Sequence, residues 1–211
     1  MLAAADGRFR QSFAELLLLS FFRRKKFRAQ AALEIGKQYE AVSAILEEPL
    51  HRFDGHQHIQ MIPGVLEALC EVLREKKLSP EYIRCSREPL SPYFRHPELW
   101  CRLKPVNWVK NGLLNVLGWM TAGKFRGLGL APARVLGLLI SGDLEYDLVK
   151  PLLPDFEALA ARKDFQLELV MHPGYGIPAG GGIDLPGGIF EQFDLSPNRK
   201  KEYDCLLQLK K

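Results

Sequence analysis

Large apolar side chains recur every three or four positions over several long stretches of the chain, which is the spacing of one buried helix face. The predicted helices cover residues 8–22, 24–47, 63–77, 106–122 and 144–162, with a last one that begins near Ser196. Pro63 suits the first turn of its helix, and Ser196 is expected to cap the last helix with Pro197 at its first position. Pro151 and Pro154 are expected to split the helix at 144–162 near its middle.

Short apolar runs between these stretches have the length of buried strands. The predicted strands cover residues 50–54, 81–85, 125–130 and 166–171. Strands that alternate with helices predict a mostly parallel sheet with helices outside it. Residues 88–105 are proline-rich and are expected to form a long loop or lid, and the glycine-rich residues 174–188 are expected to form another loop.

Composition is that of an ordinary soluble protein, with 47% apolar and 26% charged residues in a chain of 211 residues. The net charge is +4, and much of the excess lies in the run Arg23-Arg24-Lys25-Lys26-Phe27-Arg28. This run is either a solvated helix face or a contact for phosphates or an anionic membrane. No aromatic stacking platform accompanies it, so nucleic acid is not expected as a partner.

The four cysteines are widely spaced, without a C-x-x-C pair, which argues against a zinc finger or a redox pair and favours a reducing, cytoplasmic location. The start of the chain has no signal-peptide pattern. Residues 13–22 are apolar, but they are too few to span a bilayer and include Glu15, so no transmembrane segment is expected.

Candidate chemistry is concentrated in Asp54-Gly55-His56-Gln57-His58, directly after the first predicted strand. On an extended segment the two histidines and Asp54 would point to one side. The edge of the sheet where strands end is where α/β proteins build their sites. An H-x-H pair is a weak motif by itself, and a metal site and a pair of hydrogen-bonding histidines both remain open.

A second histidine motif, Glu168-Leu169-Val170-Met171-His172-Pro173-Gly174-Tyr175, follows the last predicted strand. Together the two motifs resemble the D-(S/G)-H-x-H-x-H-x-x-P and E-L-x-x-H-P-(G/A)-(Y/F) segments of the YdjC-like carbohydrate deacetylases, which include the chitooligosaccharide deacetylases of the ChbG type. Weaker agreements at Arg84, Arg87 and residues 196–202 extend the resemblance over nearly the whole chain, as a single domain at 1–211.

The resemblance implies an α/β fold, an irregular (β/α) barrel of the polysaccharide-deacetylase/glycoside hydrolase type. It implies a metal-dependent hydrolase that removes acetyl groups from an N-acetylated sugar or oligosaccharide, with Mg²⁺ or Zn²⁺ as cofactor. His56 would then be a metal ligand, with a hydrogen bond to a loop carbonyl as the alternative. His172 at a strand end would be the general acid that protonates the departing amine, with a buried structural histidine as the alternative.

Five further residues are candidates for contacts around this site. Asp54 would orient an imidazole or cap the turn after the strand. His58 would contact the substrate or support a ligand, or else be structural. Arg84 and Arg87 would bind sugar hydroxyls with their forked donors, or form surface ion pairs. Tyr175 would stack on a sugar face or lie in the core.

Two departures from the family pattern weaken the predicted site. The printed sequence contains neither the N-A-D-D-F-G nor the G-x-H-x-x-L segment, which in the family supply the general base and two metal ligands, and Gln60 stands where most members have a third histidine. We therefore expect a barrel that lacks its first strands. We expect this incomplete barrel to hold a metal ion weakly. The alternative is a non-catalytic remnant or sugar-binding module. An open sheet has exposed edge strands that can pair with a second copy of the chain, so a homodimer is compatible with this fold.

Overall fold

The computed structural model describes residues 11–174 and 196–210. The helices of this part are α1 (Phe13–Phe22), α2 (Arg24–Leu46), α3 (Pro63–Glu75), α4 (Pro105–Gly127), α5 (Tyr146–Lys163) and α6 (Asn198–Leu209). The strands are β1 (Arg52–Phe53), β2 (Tyr82–Ile83), β3 (Ala133–Leu136) and β4 (Gln166–Leu169). Short 3₁₀ segments occupy His56–Met61, Tyr93–Arg95 and Pro97–Arg102.

The described residues fall into two compact units. The first contains residues 11–86 and 113–133, and the second contains residues 87–112, 134–174 and 196–210. Each holds a two-stranded sheet: β1 pairs in parallel with β2, and β3 pairs with β4. The fold is a mostly helical α/β arrangement, and these described strands do not close into the barrel that the resemblance implies.

The first unit is built on the packing of α1 and α2 against α3. Ser12 starts α1 with a capping box, because its hydroxyl accepts the Glu15 N–H while the Glu15 carboxylate accepts the Ser12 N–H. Buried side chains of α2, of α3 and of Ile62 directly before α3 form a core cluster, namely Phe27, Ala31, Ile62, Val65 and Ala68. At Gly64 a Cβ atom would lie 2.6 Å from the Ser20 hydroxyl, so the close contact of α1 with α3 requires glycine.

The second unit has a larger core that covers one side of α5. Fully buried members include Tyr93, Leu136, Leu139, Leu144, Leu148, Val149, Leu152 and Phe156, and Cys205 of α6 joins them. The ring of Tyr93 meets the ring of Phe156 edge to face, with 5.6 Å between the centroids. The buried positions of α5 recur at helical spacing, which fixes the helix against β3 and β4.

A fully buried carboxylate, Glu88, lies at the centre of the second unit. It accepts hydrogen bonds from the Tyr93 hydroxyl at 2.8 Å, from the Asn111 amide at 2.6 Å and from the backbone N–H groups of residues 137–139 at 2.6–3.1 Å. Burial raises the pKa of Glu88, and these hydrogen bonds oppose that rise. The carboxylate thus fixes the turn that follows β3.

That turn also depends on a glycine. Gly137 has φ +129°, a conformation that side chains rarely adopt, and a Cβ atom there would lie 2.5 Å from the carbonyl oxygen of Val170. The Val170 N–H in turn donates to the Leu136 carbonyl at 2.9 Å. Glycine therefore lets the end of β3 lie directly against the segment that carries His172.

Most predicted helices are confirmed, and several details are corrected. The strand predicted at 125–130 is wrong, because α4 continues to Gly127. Pro151 and Pro154 do not split α5, since the buried residues on both sides of them hold one continuous helix. Pro197 is the N-cap of α6 rather than its first residue, and the Ser196 hydroxyl accepts the Asn198 N–H at 3.3 Å. Most of the loop predicted at 174–188 lies outside the described residues.

Replacing Glu88 with alanine is expected to lower the free energy of unfolding by about 3 kcal/mol or more, because buried donors lose their acceptor. Urea titration followed by circular dichroism measures this. The matched control is Glu157→Ala, since Glu157 is an exposed carboxylate on α5, and its effect should stay within about 0.5 kcal/mol. Equal effects of the two substitutions would show that the carboxylate does not hold the unit.

Candidate functional site

The segment that carries the H-x-H pair is still extended at Gly55, two residues after the end of β1, and then turns. Inside the segment His56–Met61, Gln57 and His58 have φ values of 54° and 63°, in the left-handed region. His56 is therefore exposed, whereas His58 is buried. The prediction that both histidines point to one side of an extended segment is wrong, because the left-handed turn separates them.

His58 contacts the segment after β2 inside the first unit. Its Nδ1 lies 2.8 Å from the hydroxyl oxygen of Ser86, which is fully buried. A buried imidazole with a buried hydroxyl partner supports the structural interpretation of His58. Sequence reasoning missed Ser86, and a serine between Cys85 and Arg87 carries no pattern that would have indicated it.

Gln60, noted in the sequence as a departure from the family pattern, is the centre of this turn. Its amide nitrogen donates to the Asp54 carboxylate at 3.3 Å, to the Arg84 carbonyl at 3.2 Å and to the Ser86 hydroxyl at 3.4 Å. Its amide oxygen accepts the Gly55 N–H at 3.2 Å. An amide can donate and accept at once, so this side chain joins both ends of the turn to the segment after β2.

Asp54 and Arg84 form an ion pair at the rim of the same turn. Arg84 Nη1 lies 2.6 Å from Asp54 Oδ2, and Arg84 Nε also donates to the Tyr82 hydroxyl at 3.2 Å. Both side chains are part-exposed, at 30% and 40%. The pair positions a guanidinium beside the exposed His56 segment, while the role of Arg84 in binding a sugar stays a prediction.

His172 follows β4 in the second unit and contacts a buried carboxylate. Its backbone N–H donates to Glu202 of α6, and its Nδ1 lies 3.8 Å from Glu202 Oε2. The Glu202 side chain is 2% exposed, whereas that of His172 is 37% exposed. Burial raises the pKa of Glu202, and the hydrogen bond from His172 opposes that rise. The structure thus places the part-exposed imidazole of His172 next to the buried carboxylate of Glu202.

Arg87 and Tyr175 are the two remaining candidate site residues. Arg87 is half-buried in the second unit, and its Nε is buried without a hydrogen-bond partner among the described residues. Its carbonyl oxygen accepts the Val135 N–H at 2.9 Å, which ties it to β3. Tyr175 lies outside the described residues. The contacts of both with a substrate stay predictions.

The described residues do not fit a divalent metal by themselves. No group of three or more histidine, cysteine, aspartate or glutamate side chains converges within residues 11–174 and 196–210. Asp54 is engaged by Arg84, and His58 is turned into the core. His56 would thus supply one ligand where catalytic metal sites normally use about three.

His56 and His172 belong to different units, the first and the second. Each unit places its histidine next to a strand end, after β1 and after β4. That the two imidazoles face one pocket stays a prediction.

The first unit has a concavity of about 630 Å³. It is lined by charged side chains of α2, α3 and α4, among them Arg28, Glu67, Glu71, Arg74 and Lys124. None of the sequence-predicted site residues lines it. Opposite charges pair across it, with Lys124 at 3.3 Å from Glu67.

A family model described as "YdjC-like protein" matches residues 1–210. No curated protein and no solved structure matches the chain. Within the described residues, every helix is too short or too polar to cross a membrane.

The chain by itself is expected to bind Zn²⁺ or Mg²⁺ weakly or not at all, because His56 lacks converging partners among the described side chains. Isothermal titration calorimetry with each ion measures this. Tight stoichiometric binding that His56→Ala abolishes would contradict it. His51→Ala is the matched control, since His51 also lies near β1 but contacts the Ser79 carbonyl.

Cys205 of α6 should react with iodoacetamide at pH 8 at least about 100-fold more slowly than the exposed Cys101, because the thiolate is the reactive form. Burial and the nearby Glu202 raise the pKa of Cys205 to about 11. Mass spectrometry of the labelled peptides measures both rates in the same sample. Similar rates in the folded protein would show that α6, and with it Glu202, is not packed as described.

Proposed function

Because the chain belongs to the YdjC-like protein family, we propose that it is a hydrolase that removes acetyl groups from an N-acetylated sugar or oligosaccharide. The family match over residues 1–210 is the observation that carries this proposal. The two histidine motifs, which lie inside that match, supply the residues to test.

His172 is the proposed general acid. In amide hydrolysis, water adds to the acetyl carbonyl carbon, and the carbon–nitrogen bond then breaks as the nitrogen takes up a proton. The amine is a poor leaving group unless it is protonated, which is the step that an imidazolium can serve. His172 has the accessibility for this role, with 37% of its side chain exposed, and a fixed backbone through Glu202.

Glu202 is the proposed positioning residue for His172. A carboxylate close to an imidazole nitrogen restricts the orientation of the ring, and Glu202 Oε2 lies 3.8 Å from Nδ1 of His172. The hydrogen bond from the His172 N–H and the positive charge of Arg199 oppose the effect of burial on Glu202. Cys205 anchors α6 in the core. Glu202 acts through the histidine and need not touch the substrate.

The general base and the remaining metal ligands have no candidate among the described residues. In the family they belong to the N-A-D-D-F-G and G-x-H-x-x-L segments, which the printed sequence does not contain. We propose that His56 contributes one ligand to a Mg²⁺ or Zn²⁺ site that such segments complete. The ion pair of Asp54 with Arg84 would then hold the rim next to His56.

Acetate release tests the proposal. The 211-residue chain and a fusion that carries the N-terminal segments of a family member are incubated with N-acetylated chitooligosaccharides. The fusion is expected to release acetate, His56→Ala to abolish the release, and His172→Ala to slow it about 10²–10⁴-fold. His51→Ala should leave the rate unchanged, because His51 belongs to neither motif.

Glu202→Gln in the same fusion should slow the reaction by roughly 10–100-fold and shift the pH profile of kcat, as expected when a histidine loses its orienting carboxylate. Asp204→Asn is the matched control, since Asp204 is a part-exposed carboxylate of α6 that pairs with Lys200. A folded, metal-loaded fusion that releases no acetate from any acetylated sugar would favour the sugar-binding remnant.

A further inference from the structure

A cluster of exposed apolar and cationic side chains occupies the junction of α1 and α2 in the first unit. We name it the junction patch, and it consists of Leu18, Phe21, Phe22, Arg23, Lys25 and Lys26. The apolar members are 55%, 51% and 82% exposed in that order. Two adjacent exposed phenylalanines followed by cations are unusual on a free surface, because each exposed ring costs hydration free energy.

The packing of α1 explains why these side chains face outward. The inner side of α1 is filled by Phe13, Leu16, Leu17 and Leu19, which pack on the core of α2 and α3. Arg23 ends α1 and begins α2 with a non-helical backbone, and Phe27 then turns fully inward at 1% exposure. Phe21 and Phe22 therefore do not belong to the core that the described residues of the first unit form.

The cations of the run at 23–28 divide into two groups. Arg24 lies 2.7 Å from Glu67, and Arg28 lies 3.3 Å from Glu71, so both are paired within the unit. Arg23, Lys25 and Lys26 are exposed, and no carboxylate of the described residues pairs with them. Three positive charges thus flank the exposed rings.

This combination fits the interface of an anionic bilayer. Aromatic and leucine side chains enter the boundary between headgroups and acyl chains, and neighbouring lysines and arginines contact anionic headgroups. The expectation that no aromatic platform accompanies the basic run is wrong, because Phe21 and Phe22 are exposed directly beside it. Bases of a single-stranded nucleic acid would stack on these rings, but the exposed Leu18 offers them no stacking face. A two-fold contact between two copies would place the same three cations against each other.

We propose that the junction patch docks the protein onto an anionic lipid surface, with Phe21 and Phe22 inserted at the headgroup boundary. The two rings supply the apolar contact, and Arg23, Lys25 and Lys26 supply the electrostatic attraction. Binding is reversible and weakens as salt rises, because exposed charges are screened. This proposal is independent of the hydrolase proposal, since the patch contains none of the residues assigned to it.

Vesicle co-sedimentation of the full 211-residue chain tests the docking. Vesicles of phosphatidylcholine with one quarter phosphatidylglycerol are expected to bind at least about tenfold more tightly than vesicles of pure phosphatidylcholine. The double variant Lys25→Glu with Lys26→Glu should lose about 25-fold or more in partition constant, since each of the two cations contributes about fivefold near an anionic surface. Phe21→Ser with Phe22→Ser should lose binding to a similar extent.

Matched variants control for charge and for apolar exposure. Lys37→Glu with Lys163→Glu gives the same change in net charge at exposed positions elsewhere, and Val116→Ser with Trp119→Ser removes exposed apolar groups of α4. Both controls should bind anionic vesicles like the parent chain. Circular dichroism confirms that each variant is folded. Equal losses in the patch and control variants, or unchanged binding in both patch variants, would overturn the proposal.

Two further outcomes would overturn it by identifying another partner. One is binding to a fluorescent single-stranded RNA that needs the patch, without binding to either vesicle. The other is dimerisation in analytical ultracentrifugation that the Phe21→Ser, Phe22→Ser variant abolishes, again without vesicle binding. A monomer that binds anionic vesicles through the patch is the result that the proposal requires.

Discussion

The buried carboxylate of Glu88 is the constraint on which the second unit depends. A charge removed from water is costly unless hydrogen bonds replace its hydration, and here a tyrosine, an asparagine and three consecutive backbone N–H groups do so. Those N–H groups belong to the turn after β3, which contacts the segment carrying His172. Through this turn, a residue with no direct role in chemistry sets the backbone around the proposed general acid.

Gln60 has the corresponding role in the first unit, on a smaller scale. It joins Gly55 and Asp54 to the segment after β2, and so fixes the turn in which His56 points outward and His58 inward. A neutral histidine at this position would have one N–H donor beside its acceptor nitrogen, whereas the amide nitrogen of Gln60 has two N–H donors and serves several acceptors. The departure from the family pattern at Gln60 therefore stabilises the turn and leaves His56 as the accessible imidazole.

Much of the helical structure could be predicted from the sequence, because caps and periodic apolar faces act locally. Helices α2 and α3 have bounds within two residues of the prediction. The strand predicted at 125–130 failed because Phe125 is buried as part of α4, a contact that a short apolar run does not reveal. The prolines of α5 were expected to break it, but buried neighbours such as Leu152 and Phe156 keep the helix continuous.

The sequence by itself determined the family and the chemical candidates, since a motif such as H-x-H or H-P-G consists of neighbouring residues. The tertiary structure decided which of those residues are accessible and what they contact. In the folded chain, buried His58 contacts the Ser86 hydroxyl. The backbone N–H of His172 donates to Glu202, which lies 30 positions further along the chain. Such pairs depend on backbone turns and on burial between elements far apart in sequence, which local spacing does not encode.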